Sequence, residues 1–308
     1  GGAVGPAAGG RPLTGRAAAA GVARPALRSA QVFGVANALG FGISVATGSH
    51  AHLDLIGTGA FVAVAAATRG PDLRSNLSAA AVALWAARLT SFLFYRALQV
   101  GRDDRLERTL STTSGAFGFW FISWLWGWLT VLPHALGAAS AGPRPRLGLG
   151  AVAAGALYFF GLTWEVLGDF QKWWFKQDPL NKGKFCDVGL WSFSQHPNYF
   201  GNLCLWLGIF LLNVPVLHAQ GAAAAAGGIA DSSLAHRALA AAWAGRRVLL
   251  GAVGPLFLGA LFFAQASGSL TNTVKLAAGK YGADPAYQDY LQRVPLIVPR
   301  LTDLLRGA

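Results

Sequence analysis

Apolar residues fall in seven stretches separated by polar or charged loops, at about 30–48, 51–68, 78–96, 114–133, 147–168, 198–218 and 247–267. A helix needs roughly 20 apolar residues to cross a bilayer. The spacing therefore predicts an all-α, multi-pass transmembrane helical bundle of about seven spans. The first two stretches are rich in Ala and Gly and have the weakest pattern. The fourth is dense in Trp and Phe. Beyond residue 268 the chain turns polar. There the pieces 270–280 and 285–293 read as helices in a C-terminal interfacial segment, stopped by Pro295 and Pro299. Residues 220–245, with a run of five alanines, read as a low-complexity loop.

Composition agrees with a membrane solvent. The 308 residues are 54% hydrophobic and 12% charged, about half the charge of a soluble domain. The net charge of +12 comes from Arg and Lys scattered between apolar stretches, with no basic helical face. That excludes nucleic acid and leaves membrane lipids or a phosphorylated cofactor as partners. Residues 1–29 hold Arg11, Arg16, Arg24 and Arg28, and no acid precedes Asp54. This segment is either a transit-peptide remnant or a disordered positive tail, and 30–308 reads as a single transmembrane domain. Plastid, mitochondrial and endoplasmic-reticulum membranes all fit. With no Met anywhere, the chain reads as a processed form or a fragment. Cys186 and Cys204 read as buried or interfacial thiols, and the six histidines form no metal-binding spacing.

With seven spans, the loops 97–113 and 169–197 share one face with the C-terminal tail. That face carries the larger share of Arg and Lys and nearly all the informative polar residues. At the end of the fifth span Glu165 and Asp169 are four apart, on one helix face, with Lys172 three further on. Two such acids suit the amide and hydroxyl groups of a nucleotide, or solvate their charges near headgroups. Lys182 and Lys184 flank a glycine, positioned to meet phosphate or to anchor the loop at the membrane surface. Pro197 favours the first turn of a helix, so the sixth span is expected to begin at His196-Pro197, its free N–H groups facing anions. On that helix Asn198, Asn202 and Trp206 fall one above the other, with Tyr199 beside them. In the third span Arg88 lies at mid-depth and needs an acidic partner, for which Glu165 is the candidate. Arg96 and Arg105 lie towards the polar face, and Tyr290 and Arg293 in the tail read as a lid or an interfacial anchor. Ala151 and Gly155, four apart, suggest close helix packing.

These segments carry a resemblance. Arg88-Leu89-Thr90-Ser91-Phe92-Leu93-Phe94-Tyr95-Arg96, Asp169-Phe170-Gln171-Lys172, Asn181-Lys182-Gly183-Lys184-Phe185, Gly189-Leu190-Trp191, His196-Pro197-Asn198-Tyr199-Phe200-Gly201 and Leu296-Ile297-Val298-Pro299 look like a membrane branch of the steroid 5-alpha-reductase superfamily. Isoprenylcysteine and phospholipid methyltransferases are its relatives. The resemblance covers about residues 75–300 and implies a seven-helix fold holding NADPH. It implies that Asp169, Asn198, Gly201 and Trp206 line the cofactor site. Arg96 and Arg105 would approach the phosphates, and Tyr290 and Arg293 would close the site. Lys172, Lys184, His196 and Asn202 complete the expected cofactor-binding set, and Glu165 and Tyr199 are the expected catalytic pair.

The reaction implied is NADPH-dependent reduction of an activated C=C bond in a steroid-like or other lipid. Two alternatives stand beside it. One is an S-adenosylmethionine-dependent methyltransferase acting on a lipid or prenyl-cysteine. The other is a degenerate structural or lipid-binding subunit of a membrane complex. Three departures bear on the choice: Gln195 stands where the family has Arg, Asn202 where it has Glu, and Trp85 nearest the place of a substrate-polarising Tyr.

Overall fold

A computed structural model describes residues 15–49, 52–100, 110–139, 143–226, 234–270 and 273–306. Its long helices are α1 (Gly15–Thr47), α4 (Leu73–Val100), α5 (Thr113–Ala139), α6 (Leu149–Gln177), α7 (Pro197–Ala226) and α8 (Leu234–Ala266). Between α1 and α4 lie α2 (Leu53–Gly57) and α3 (Ala60–Thr68). The tail holds α9 (Thr273–Tyr281), α10 (Pro285–Arg293) and α11 (Leu301–Arg306). Among the described residues, six helices are long and apolar enough to cross a membrane. The protein is a multi-pass helical bundle, and all seven predicted apolar stretches are helical.

Two stretches differ from expectation. The second is a shorter broken pair, interrupted between Gly57 and Ala60, rather than one full-length helix. Much of the alanine-rich region read as a loop is helix, because α7 runs on to Ala226 and α8 resumes at Leu234. Alanine is the strongest intrinsic helix former, and composition alone hid that. The first helix also begins well before residue 30, and the carbonyls of Ala26 and Ala30 in it accept hydrogen bonds from Trp128 and Trp124.

In lipid, helices gain little from hiding apolar side chains from each other, so close packing and hydrogen bonds hold the bundle. The α6–α7 pair shows the first. A Cβ on Gly161 would lie 2.5 Å from the Gly201 carbonyl oxygen, and one on Gly201 would lie 2.5 Å from the Glu165 nitrogen. A Cβ on Gly208 would lie 2.8 Å from the Tyr158 nitrogen. The expected contact at Ala151 and Gly155 is absent from this seam, since open space surrounds Gly155.

Hydrogen bonds do the rest. Trp120, Trp124 and Trp128, spaced by four along α5, donate their indole N–H groups to α1, at Ser44 Oγ (3.1 Å), the Ala30 carbonyl (2.9 Å) and the Ala26 carbonyl (3.0 Å). At the opposite end of the bundle from the polar face, the buried His134 on α5 links three helices. Asn213 of α7 donates to Ser78 Oγ of α4 (2.9 Å), which meets His134 Nδ1 (2.9 Å), while His134 Nε2 meets Thr68 Oγ of α3 (3.1 Å). Thr68 gives its own proton to the Val64 carbonyl. Thr68 therefore accepts from Nε2–H, and Ser78 donates to Nδ1, so both ring nitrogens of His134 have partners. The apolar core between the two ends is built on Phe33, Phe61, Trp85, Trp206 and Leu205.

Candidate functional site

The site follows from where α6 and α7 cross. Gly201 brings the α7 backbone against the Glu165 backbone, so Asn202, one residue on, meets the Glu165 side chain. Asn198, one turn earlier, meets Asp169. Asn202 Nδ2 donates to Glu165 Oε2 (3.1 Å) and Asn198 Nδ2 to Asp169 Oδ1 (3.2 Å). From α4, Trp85 Nε1 donates to both Glu165 oxygens (3.3 and 3.2 Å). Arg88 bridges the two acids, Nη1 to Glu165 Oε1 at 3.2 Å and Nη2 to Asp169 Oδ2 at 2.8 Å. The expected Arg88–Glu165 pair is thus present, and Asp169 shares it. Glu165 is buried, with 3% of its surface exposed. Its oxygens accept from Trp85, Arg88 and Asn202.

Beside this network lies a cavity of about 390 Å³, near the small end of ligand pockets. Its polar wall includes Arg96, Glu165, Asp169, Asn198, Tyr199 and Asn202. Its apolar wall includes Leu89, Leu93, Ile122, Trp126, Leu261 and Phe262. Tyr199 is stacked between His196 (centroids 4.8 Å apart) and Phe262 (4.5 Å), each ring within 10° of parallel. A carboxylate accepts only, so each Asn side chain must present its nitrogen to its acid. The Oδ1 atoms of Asn198 and Asn202 are then left without a hydrogen-bond partner. Both residues line the cavity, and Asn202 is only 6% exposed.

Six of the expected site residues therefore converge, whereas seven do not. Gly201 serves the helix crossing, with no space beside it for a ligand. Trp206 is fully buried in the core, edge-on to Trp85 at 5.0 Å and tilted against Phe61 at 5.6 Å. His196 lies behind Tyr199. Burial, and then the nearby Lys172, lower its pKa from 6.5 to about 4, so near neutrality it is uncharged and offers a phosphate no cation. Lys172 sits over the Trp191 ring at 4.0 Å. Lys184 is exposed, and its carbonyl accepts from Lys176. Tyr290 is buried with Phe185, Tyr287 and Val294, and its hydroxyl donates to the Trp191 carbonyl (2.9 Å). Burial raises its pKa well above the usual tyrosine value. Arg293 is exposed and lies 3.6 Å from Asp289. Arg105 lies outside the described residues.

The network also takes in Trp85, which donates to Glu165 in place of polarising a substrate. The cavity uses four further residues that were assigned no role above. Asp54 and Thr58 line the cavity from the broken second stretch, Ser123 from α5 and Gln265 from α8. Asp54 had a legible signal: it is the first acid of the chain, standing in an apolar stretch interrupted by Gly57 and Gly59.

Known proteins add one finding. Residues 40–238 match the family model described as "Protein of unknown function (DUF1295)". No curated protein and no solved structure matches the chain. The matched segment runs from α1 into α8 and includes Arg88, Glu165, Asp169, Asn198 and Asn202. The chain belongs to this family, which is part of the steroid 5-alpha-reductase-like superfamily.

Proposed function

We propose that the protein is a membrane-embedded reductase that holds NADPH in the cavity by its carboxamide-bearing end and reduces an activated C=C bond of a lipid. The observation that carries this reading is the pair of amide oxygens on Asn198 and Asn202. Each amide is held through its Nδ2 by a carboxylate, and its Oδ1 is buried beside the cavity without a partner, where it can accept from a ligand N–H or O–H. A primary carboxamide supplies two such donors. When bound, NADPH would supply the hydride. The chain's residues divide the remaining tasks. Asn198 and Asn202 orient the carboxamide end, and Arg96 faces the phosphate-bearing end. Leu89, Leu93, Ile122, Trp126 and Phe262 give the lipid an apolar wall. Tyr199 is the phenol on that wall able to donate to a substrate oxygen as negative charge develops there. Glu165 holds Trp85, Arg88 and Asn202 in place.

One observation favours the methyltransferase alternative. Among the described lining residues are three carboxylates (Asp54, Glu165, Asp169) and one guanidinium, that of Arg96, while Arg88 pairs with Glu165 and Asp169 beside the cavity. The acid excess suits the cationic sulfonium of S-adenosylmethionine.

Binding of NADPH and of S-adenosylmethionine to the purified protein in detergent separates the readings. On the reductase reading NADPH binds, and Asn198→Ala and Asn202→Leu each weaken it by about tenfold, the worth of one lost hydrogen bond. Binding of S-adenosylmethionine alone transfers the site to methyl transfer. Binding of neither removes both enzyme readings and leaves a structural or lipid-binding subunit.

A further inference from the structure

We propose that Gln195 is a positioning residue. It fastens the C-terminal strap, residues 291–297, to the turn that launches α7, and so holds Asn198 in register with Asp169. The idea that Asn198 then meets a nucleotide rests on the proposed function; the fastening does not.

The strap is poor in donors by sequence. The carbonyl of Leu291, in the last turn of α10, would ordinarily meet the N–H four residues on. That residue is Pro295, which has none. Pro299 removes another donor. The turn supplies what the strap lacks. Gln195 Nε2 donates to the carbonyls of Leu291 (3.1 Å) and Val294 (2.7 Å). A primary amide has two N–H groups, so both bonds form together. The Gln195 backbone N–H donates to the Pro295 carbonyl (2.9 Å), and Ser194 Oγ–H to the Ile297 carbonyl (2.7 Å).

This contact reaches the site in few steps. His196 and Pro197 follow Gln195 directly, and Asn198 is the next residue. The His196 carbonyl accepts from the N–H groups of Tyr199 and Phe200, the first bonds of α7. Ser194 Oγ also accepts from the His196 N–H (3.1 Å). A second fastening runs beside it: Tyr290 hydroxyl to Trp191 carbonyl, then Trp191 Nε1 to the Gly168 carbonyl (2.9 Å), adjacent to Asp169. Gln195 itself is absent from the cavity wall. Read alone, its replacement of Arg is a loss of cofactor-binding charge. In the fold its duty is donation, and the charge is not needed for it.

The decisive property is therefore donor character at position 195. Gln195→Glu keeps the size but turns an acceptor towards two carbonyls. Gln195→Arg keeps a fork of donors. Hydrogen exchange read by mass spectrometry on the full chain in detergent, without nucleotide, tests this. In Gln195→Glu the strap amides and those of Tyr199 and Phe200 are expected to exchange about tenfold faster or more, as for one or two lost hydrogen bonds. Gln195→Arg is expected to stay near wild type. Unchanged exchange in Gln195→Glu overturns the proposal. So does equal acceleration in both variants, because donor character at position 195 would then not be what holds the strap. A change confined to the strap, with 197–202 unaffected, overturns the positioning of Asn198. Failure of the wild-type protein to bind NADPH would remove the proposed function and leave these outcomes readable.

Discussion

Removing the charge of Glu165 tests the centre of the site. Glu165→Gln preserves shape but replaces one acceptor with an NH₂ group. On the Oε1 side that group meets Trp85 and Arg88, and on the Oε2 side Trp85 and Asn202. Either orientation sets donors against donors. A buried hydrogen bond to a charged group is worth about 1.5–3 kcal/mol. Two factors reduce the loss here. Asp169 continues to neutralise Arg88, whose side chain is 15% exposed. A membrane-unfolded chain also finds other partners for its polar groups. The expected destabilisation is about 2–3 kcal/mol. Arg88→Met leaves two buried carboxylates without their shared cation and is expected to cost about 3–5 kcal/mol. The assay is reversible unfolding in detergent–SDS mixtures for both single variants and the double. In the double variant one of the two carboxylates stranded by Arg88→Met is already gone, so the sum should overshoot the measured loss by about 2 kcal/mol. Additivity within about 0.5 kcal/mol would mean that Arg88 and Glu165 do not act on one another, and would remove the network from the account of the site.

Two further outcomes follow from the same geometry. Gly201→Ala places a methyl group 2.5 Å from the Glu165 nitrogen and 2.6 Å from the Gly161 carbonyl oxygen, both backbone atoms. The helices must separate, at about 1–3 kcal/mol, and SDS unfolding should show it; a neutral result would refute the close crossing. For His196 the folded pKa of about 4 lies below the usual 6.5. The unfolded chain then binds a proton that the folded one refuses. Stability is full above about pH 6.5 and falls as pH drops from there towards 4, by at most about 3 kcal/mol. Thermal unfolding at pH 7.5 and pH 5 should show a smaller difference for His196→Phe than for wild type, and equal differences would contradict the half-buried, neutral imidazole.

Periodicity and length made the bundle legible. A proline at 197 marked the start of α7, and Pro285–Arg293 appeared almost as the polar tail suggested. Convergence of polar groups was partly legible too, because spacing by four placed Glu165 with Asp169 and Asn198 with Asn202. Depth was not. Asn198, Asn202 and Trp206 do form one stripe, but a stripe descends through the bundle. Its first two members border the cavity, and its third enters a core with Trp85 and Phe61. Periodicity states which side of a helix a residue occupies; it does not state what stands opposite at that level.

What stands opposite was encoded in a less visible pattern. Gly161 and Gly168 on α6, and Gly201 and Gly208 on α7, recur at seven-residue spacing. That repeat keeps small residues on one seam over two turns. Three of the four stand where a Cβ would come within 2.8 Å of the facing backbone, and at Gly168 it would lie 3.2 Å from the Asn198 nitrogen. The glycine seam, rather than any charged residue, determines that Glu165 meets Asn202 and Asp169 meets Asn198. The acids can form these bonds only because the backbones approach. The approach is tolerable at this depth only because the acids, amides and Arg88 satisfy one another. Packing and polarity at the site are therefore one device. A substitution that widens the seam should loosen the amide oxygens of Asn198 and Asn202 even where every polar residue is retained.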